Sequence, residues 1–279
     1  MKTVQKLAVA RAAYRVIHAA RAVVGGSDRC IAKRNGIAFE LDLSEGIDLA
    51  IYLGVFESGT RNALKKLVQP SSVVLDIGAN IGVHTLLLAD AVGPSGQVLA
   101  FEPTDFAIQK LRRNLDLNPD LATRVKSYHC FLASNDGAEV PSSIYSSWPL
   151  TDAEDLHQKH LGQAMPTEAA LARSIDGVLA ELGNPTVQLV KMDVDGFESE
   201  VLRGAATLLR DSRPIFMMEL SPYVLIERGS SVEELISFFI PNGYHFFHER
   251  TGERLPSASE DLGRLVGDGE SMNVVARAT

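Results

Sequence analysis

From residue 71 onward, short apolar runs alternate with amphipathic stretches of helical period, the pattern that βαβ units leave in a sequence. Five of the runs predict parallel core strands: Val73 to Ile77, Val98 to Glu102, Val125 to Cys130, Val187 to Asp193 and Ile215 to Leu220. Each is followed by helix-forming sequence or by an excursion. Gly243 to Glu249 and Met272 to Arg277 predict two more strands. A polar loop rich in glycine, serine and proline joins them without a helix, so they should form an antiparallel pair at one sheet edge. The expected architecture is α/β, a seven-stranded, mostly parallel sheet with helices on both faces.

Two regions depart from that rhythm. Residues 1–70 read as an N-terminal helical and extended segment ahead of a main domain at 71–279. Its first 24 residues are helical in pattern, but the basic side chains are spread over more than half of the helical wheel and leave no clean apolar stripe. A helix packed on the domain or engaged in dimer contacts is expected, with weak membrane contact as the alternative; Arg11 and Arg15 interrupt the apolar core that a secretory signal needs. Residues 134–186, the second departure, lie between two core strands and carry Pro141, Pro149, Pro166, Trp148, His157 and His160. That is too long for a simple connection, so a lid or substrate-recognition insertion is expected.

Composition narrows the classes. The chain has 279 residues, 46% of them apolar and 22% charged, and contains no uncharged apolar run of the roughly 18 residues a membrane span needs. A soluble, cytoplasmic protein is expected. Cys30 and Cys130 are too few for a disulfide framework and lack zinc-ligand spacing. The net charge of −8 is uneven: residues 1–27 hold Lys2, Lys6, Arg11, Arg15 and Arg21 and no acid, so the remainder is more acidic still. Such a body repels phosphate backbones, which argues against a nucleic-acid partner.

The chemistry concentrates where Val73–Ile77 runs into Asp76, Gly78, Asn80 and Gly82 before a helix. In a GxGxxG dinucleotide loop the middle and last glycines make room for pyrophosphate, but Asn80 and Val83 stand there, which disfavours a nicotinamide oxidoreductase. A carboxylate such as Asp76 at the strand end suits a cationic ligand, for instance the amino group of a methionine moiety. Glu102 ends the next strand 20 residues beyond Gly82 and is placed to accept from both ribose hydroxyls, so the pair favours an adenosyl ligand. Alternation within Val187–Asp193 puts Leu189, Lys191 and Asp193 on one face. A core lysine needs a carboxylate partner, which places Lys191 near the carboxyl end of the sheet, where Asp193 and Glu219 end adjacent strands. Asp195 followed by Glu198 reads as an N-cap and its capping-box partner.

Leu75-Asp76-Ile77-Gly78-Ala79-Asn80-Ile81-Gly82 and Phe101-Glu102-Pro103 resemble the cofactor motifs of FkbM-type S-adenosylmethionine-dependent methyltransferases, which have a Rossmann-like class I fold. Arg173 to Asp176, Lys191 to Glu198, Val201 to Ala205 and Glu219 are similar to later elements of that family, so the resemblance runs from about Tyr52 to Leu220. The family's Glu-Gly stands here as Asp195-Gly196, a departure that shortens one carboxylate. The resemblance implies S-adenosylmethionine as cofactor, held by Glu57, Asp76, Gly78, Ala79, Asn80, Gly82, His84, Thr85, Glu102 and Pro103. It implies O-methylation of a small-molecule or sugar acceptor, with Asp193, Glu198 and Glu219 as catalytic carboxylates and Lys191 beside them. A magnesium ion on Asp193, Asp195 and Glu219 is the disfavoured variant, since Lys191 neutralises part of that cluster. N-methylation on the same fold and a non-catalytic adenosyl-ligand-binding protein are the alternatives.

Overall fold

The computed structural model describes residues 3–154 and 156–278 of the chain. Lys2, one of the five N-terminal bases, therefore lies outside the described residues. Helix α1 (Thr3–Val23) is followed by a hairpin of β1 (Arg29–Arg34) and β2 (Ile37–Asp42), then by α2 (Gly46–Tyr52) and α3 (Ser58–Leu67). The main domain continues with β3 (Val73–Ile77), α4 (Val83–Val92), β4 (Gln97–Glu102), α5 (Asp105–Asp116), α6 (Pro119–Ala122) and β5 (Val125–Leu132). The excursion holds a hairpin of β6 (Ser143–Ser147) and β7 (Gln163–Pro166) and a short β8 (Leu171–Arg173). Then come α7 (Ile175–Glu181), β9 (Val187–Met192), α8 (Glu198–Arg203), β10 (Ile215–Leu220), α9 (Pro222–Glu227), α10 (Val232–Ser237), β11 (Tyr244–His248), α11 (Ser259–Arg264) and β12 (Met272–Ala278). Among the described residues, no helix is long and apolar enough to cross a membrane.

The central sheet runs β11-β12-β10-β9-β3-β4-β5-β8. β3, β4, β5, β8, β9 and β10 pair in parallel, and β12 is antiparallel to both β10 and β11. The sheet therefore has eight strands where the apolar pattern predicts seven. The added strand is Leu171–Arg173, three residues long with Leu171 70% exposed, too short and too wet to leave a periodic signature. It extends the parallel edge beyond β5.

Strands β3, β4, β9 and β10 are buried on both faces, so alternation sorts their side chains into two cores. Leu75, Ile77, Phe101, Val190, Met192 and Phe216 pack on one face with α7, α8 and α10. Val74, Val98, Leu189 and Met217 pack on the other with Leu64 of α3 and Leu87 and Leu88 of α4. A third core ties the N-terminal segment down: Leu7 and Tyr14 of α1, Phe39 and Leu41 of β2 and Leu49 of α2 close on Ile81, Ile108 and Leu111. Asn114 on α5 and Asn118 just ahead of α6 complete that junction. They accept from the backbone N–H groups of Glu40 (2.8 Å) and Ala38 (2.9 Å), satisfying donors that β2 would otherwise leave unpaired.

One ion pair is sealed in the same junction. Lys110 Nζ lies 2.5 Å from Asp48 Oδ2 with both residues buried, and Asp48 also accepts from the Asp42 N–H at 2.6 Å. Removing one partner strands a buried charge, whereas removing both does not. Lys110→Met alone is expected to cost about 3–5 kcal/mol in urea unfolding, and the double variant Asp48→Leu/Lys110→Met to recover most of that loss.

Candidate functional site

The loop after β3 is shaped by how closely β9 presses on it. Gly78 has φ +74, and a Cβ there would stand 1.8 Å from the carbonyl oxygen of Asp193, so glycine alone fits. Asn80 follows in the left-handed region at φ 48, its Oδ1 accepting from the Ile81 N–H at 2.8 Å. The Asn80 N–H donates to Glu102 Oε2 at 2.8 Å, and Glu102 Oε1 accepts from both the N–H and the hydroxyl of Thr104 at 2.9 and 2.6 Å. Glu102 thereby clamps the loop to the end of β4. Burial pushes its pKa up, against the pull of these hydrogen bonds. With both Oε1 positions taken, the open lone pair is on Oε2, which suits one further donor where the sequence leads one to expect two.

Beside the loop lies a line of buried charge. Asp76 and Lys191 are register partners on adjacent strands. Lys191 Nζ donates to the Gly78 carbonyl at 2.8 Å and lies 3.4 Å from Asp76 Oδ1 and 3.9 Å from Asp193 Oδ2. Thr85 donates to Asp76 Oδ2 at 2.6 Å. Burial opposes the lysine's charge, but Asp76 and Asp193 outweigh it and hold the Lys191 pKa above its ordinary value. Asp193 is raised by burial and by Glu57, against the opposing charges of Lys191 and His84. At the far end, His84 Nε2 lies 2.8 Å from Glu57 Oε2; burial would raise Glu57, yet this contact holds its carboxyl below the usual range. Nδ1 of His84 is buried without a hydrogen-bond partner.

Two cavities meet at this line. The first, about 260 Å³, is lined by Gly78, Ala79, Asn80, Glu102, Pro103 and Asp195, with Phe131, Leu132 and Phe197 as apolar wall. The second, about 890 Å³, is lined by α1, the α2–α3 turn, Glu219 and the facing ends of β11 and β12. Ile47, Phe56, Glu57, Trp148, Lys191 and Asp193 line both. Of the candidate cofactor residues, Glu57, Gly78, Ala79, Asn80, His84, Glu102 and Pro103 reach the first cavity, while Asp76, Gly82 and Thr85 stand behind its wall. Asp76 thus faces the cavity through Lys191. Of the candidate catalytic residues, Lys191 and Asp193 lie at the junction and Glu219 opens only on the second cavity, where Ser271 donates to it at 2.5 Å. Glu198 lines neither; its Oε1 accepts from the Gly196 N–H at 3.4 Å within its own turn.

The capping-box reading of Asp195 and Glu198 does not hold. The cap position of α8 is Phe197, which has no side-chain cap, and Asp195 sits at φ 49, a left-handed backbone that turns it to the first cavity. Burial, with Asp193 and Glu198 adding repulsion, pushes Asp195 up to about 8. Nor does the magnesium variant find its ligands: among the described residues, no three of the His, Cys, Asp and Glu side chains, Asp193, Asp195 and Glu219 included, converge to hold a metal.

The excursion roofs the first cavity through Ile144, Tyr145, Ser146 and Trp148 of the β6 end of its hairpin. It is fastened on three sides. Asn80 Nδ2 donates to the Ser146 carbonyl at 3.4 Å, the Ser146 hydroxyl to Thr104 Oγ1 at 3.1 Å, and the Ser147 hydroxyl to Glu45 Oε2 at 2.8 Å. His157 and His160 stack at 3.8 Å on the outer side of Tyr145 and line neither cavity. Residues the motifs do not flag complete the walls: Ile47 and Phe56 from the N-terminal segment, and His248 at the end of β11.

A parallel sheet with one antiparallel strand next to its edge, and a cavity at the carboxyl ends of its central strands against a glycine loop and a ribose-type acid, defines the Rossmann-like class I methyltransferase architecture. Residues 76–246 match the methyltransferase FkbM domain, and the chain belongs to that family. It is 31% identical over 156 residues to methyltransferase sdnD of Sordaria araneosa, covering 47% of this chain and 59% of the relative. It is 28% identical over 158 residues to the hexuronic acid methyltransferase AglP of Haloferax volcanii (54% and 59%), and 26% identical over 166 residues to the 2-O-methyltransferase NoeI of Sinorhizobium fredii (56% and 66%). The chain thus spans about three-fifths of the length of these three relatives. Among solved structures, methyltransferase FkbM from Methylobacillus flagellatus aligns at 17% identity and a TM-score of 0.43, over 77% of this chain and 50% of that one.

Two outcomes follow from this geometry. Gly78→Ala forces a methyl into the Asp193 carbonyl at a left-handed φ, and is expected to cost at least about 1–3 kcal/mol in thermal unfolding. Glu198 is pushed by burial from an ordinary 4.5 to about 7 in the folded chain. Its contribution to stability is therefore full below 4.5 and lost as pH rises through about 7. Glu198→Gln should match the parent near about pH 4 and exceed it near about pH 9 in urea midpoint.

Proposed function

We propose that this chain transfers the methyl group of S-adenosylmethionine to a hydroxyl oxygen of a small-molecule or sugar acceptor. The observation that carries the reading is that a nucleoside-sized cavity and a larger one meet at Asp193, which with Glu57, held by His84, is one of two carboxylates lining both. The first cavity fits the cofactor. Gly78 leaves the backbone bare, Glu102 Oε2 has an acceptor position open for a ribose hydroxyl, and Phe131, Leu132 and Ile77 offer an apolar slot for the base. At the other end, Lys191 and the His84–Glu57 pair present both signs of charge to an amino-acid moiety. When bound, the cofactor supplies a methyl group already activated by the sulfonium charge.

The protein then has to align the acceptor, exclude water and take up one proton. Asp193 lies where the cavities join, and its raised pKa makes it a stronger base than an exposed aspartate. An acceptor hydroxyl entering from the second cavity would meet it there, with Glu219 and Ser271 further along the same wall. Lys191 keeps the site from accumulating uncompensated negative charge, and is itself anchored by Asp76 and the Gly78 carbonyl. The hairpin over the first cavity restricts water. Positioning supplies most of the acceleration, and the base about 10²–10⁴-fold. An oxygen acceptor is favoured because it needs such a base, and two relatives named for hexuronic acid and 2-O-methyl transfer point the same way.

Calorimetric titration with S-adenosylhomocysteine tests the cofactor assignment, and absence of binding would overturn it. Asp193→Asn is expected to keep that affinity and lower kcat by about 10²–10⁴-fold. In the parent enzyme kcat/KM should rise with pH through the elevated pKa of Asp193, because only the carboxylate form accepts the proton. A variant at position 193 with full turnover would remove the base from the mechanism.

A further inference from the structure

The second cavity is far larger than a hydroxyl-bearing end group needs, and its mouth and floor differ in chemistry. At the floor stand Asp193 and Glu219. One side wall is polar: Ser271 is bonded to Glu219, Asn273 Nδ2 donates to Thr60 Oγ1 at 2.9 Å, and His248 and Arg250 complete it. The opposite wall, from α1 and the end of α2, is apolar apart from Lys6, with Leu7, Ala10, Ala13, Ala50 and Leu49. Three side chains of that wall remain in water: Val9 is 61% exposed, Leu53 46% and Val55 63%.

Leu53 and Val55 are held there by the backbone. They flank Gly54, whose φ of +73 ends α2; Gly54 N–H donates to the Ile51 carbonyl at 2.9 Å and Val55 N–H to the Ala50 carbonyl at 3.0 Å. This is the Schellman pattern, in which the apolar residue after the glycine ordinarily folds back on the helix end. Here Val55 faces out at the rim. A rigid apolar rim on a cavity with an ionic floor leaves contact area that water solvates poorly and that an apolar ligand would cover.

We infer that the acceptor is an amphiphile: a hydroxylated polar end seated against Asp193 and Glu219, and an acyl chain or apolar ring system that leaves the cavity past Val9, Leu53 and Val55. This inference rests on the methyl-transfer reading and assigns substrate class to residues 9, 53 and 55, all outside the segment 76–246 shared with the family. Specificity for the apolar part is then set by the N-terminal segment, and the transfer chemistry by the shared domain.

The test is a series of n-alkyl β-glucosides, methyl to octyl, titrated below their micelle concentrations into protein saturated with S-adenosylhomocysteine. Kd should fall by about fourfold per methylene, the equivalent of burying one CH₂, once the chain reaches the rim. The triple variant Val9→Ser/Leu53→Ser/Val55→Ser alters exposed positions, and is expected to keep the parent's melting temperature and S-adenosylhomocysteine affinity while flattening that dependence. No binding by any glucoside, an affinity independent of chain length, or an unchanged slope in the triple variant would each overturn the inference and leave the transfer reading standing. Failure of S-adenosylhomocysteine itself to bind would bring down both.

Discussion

The ammonium of Lys191 is the point on which the site's geometry turns. It sits on a core strand, on a face otherwise filled by Leu189 and its neighbours, and would be untenable there without compensation. Asp76 on the adjacent strand supplies the opposite charge, Thr85 holds Asp76 from behind, and the Gly78 carbonyl accepts the remaining hydrogen bond in reach. Three elements are thereby locked in register at the carboxyl edge: the end of β3, the loop that follows it and the end of β9. Asp193, two residues along, is delivered to the junction of the cavities by that register, and its main-chain carbonyl is what forbids a side chain at Gly78.

Around this core, the two cavities are built by different means. The first is made of backbone and one clamped carboxylate: the loop in left-handed conformations, Glu102 bridging it to β4, and a hairpin laid over the top. The second is made of packing, as the N-terminal helices close over the strand ends through the core of Leu7, Tyr14, Leu41 and Ile81. Backbone-built sites leave little freedom for substitution, whereas a wall of exposed and half-exposed side chains tolerates change. On the methyl-transfer reading, the nucleotide would lie against the part that resists substitution and the acceptor against the part that tolerates it.

Much of this was legible in the sequence, and the reasons are physical. Strands such as Val73–Ile77 and Ile215–Leu220 are buried on both faces and show as continuous apolar runs, and Gly78 and Glu102 are marked by their spacing from those runs. Lys191 declared itself by being a cation in such a run. What the sequence hid falls into two kinds. Leu171–Arg173 pairs at the sheet edge through its backbone, which any composition can do. Asp195 is spaced like a cap, but Gly196 and the left-handed turn at 195 divert it to the cavity, a backbone choice no periodicity records. Ile47, Phe56 and the rim at Leu53 and Val55 become site residues only because a separate segment folds across the domain.

The hairpin over the first cavity bears on how two ligands would share the site. Its fastenings reach the glycine loop through Asn80, the helix α5 cap through Thr104 and the N-terminal segment through Glu45. Beneath that roof the first cavity adjoins the second along a threshold lined by Ile47, Phe56, Glu57, Trp148, Lys191 and Asp193. On the methyl-transfer reading, the two ligands of a turnover would meet across that threshold, each resting on side chains that also bound the other's chamber. Coupling between the two would be a property of the architecture, imposed by a shared wall with no moving part.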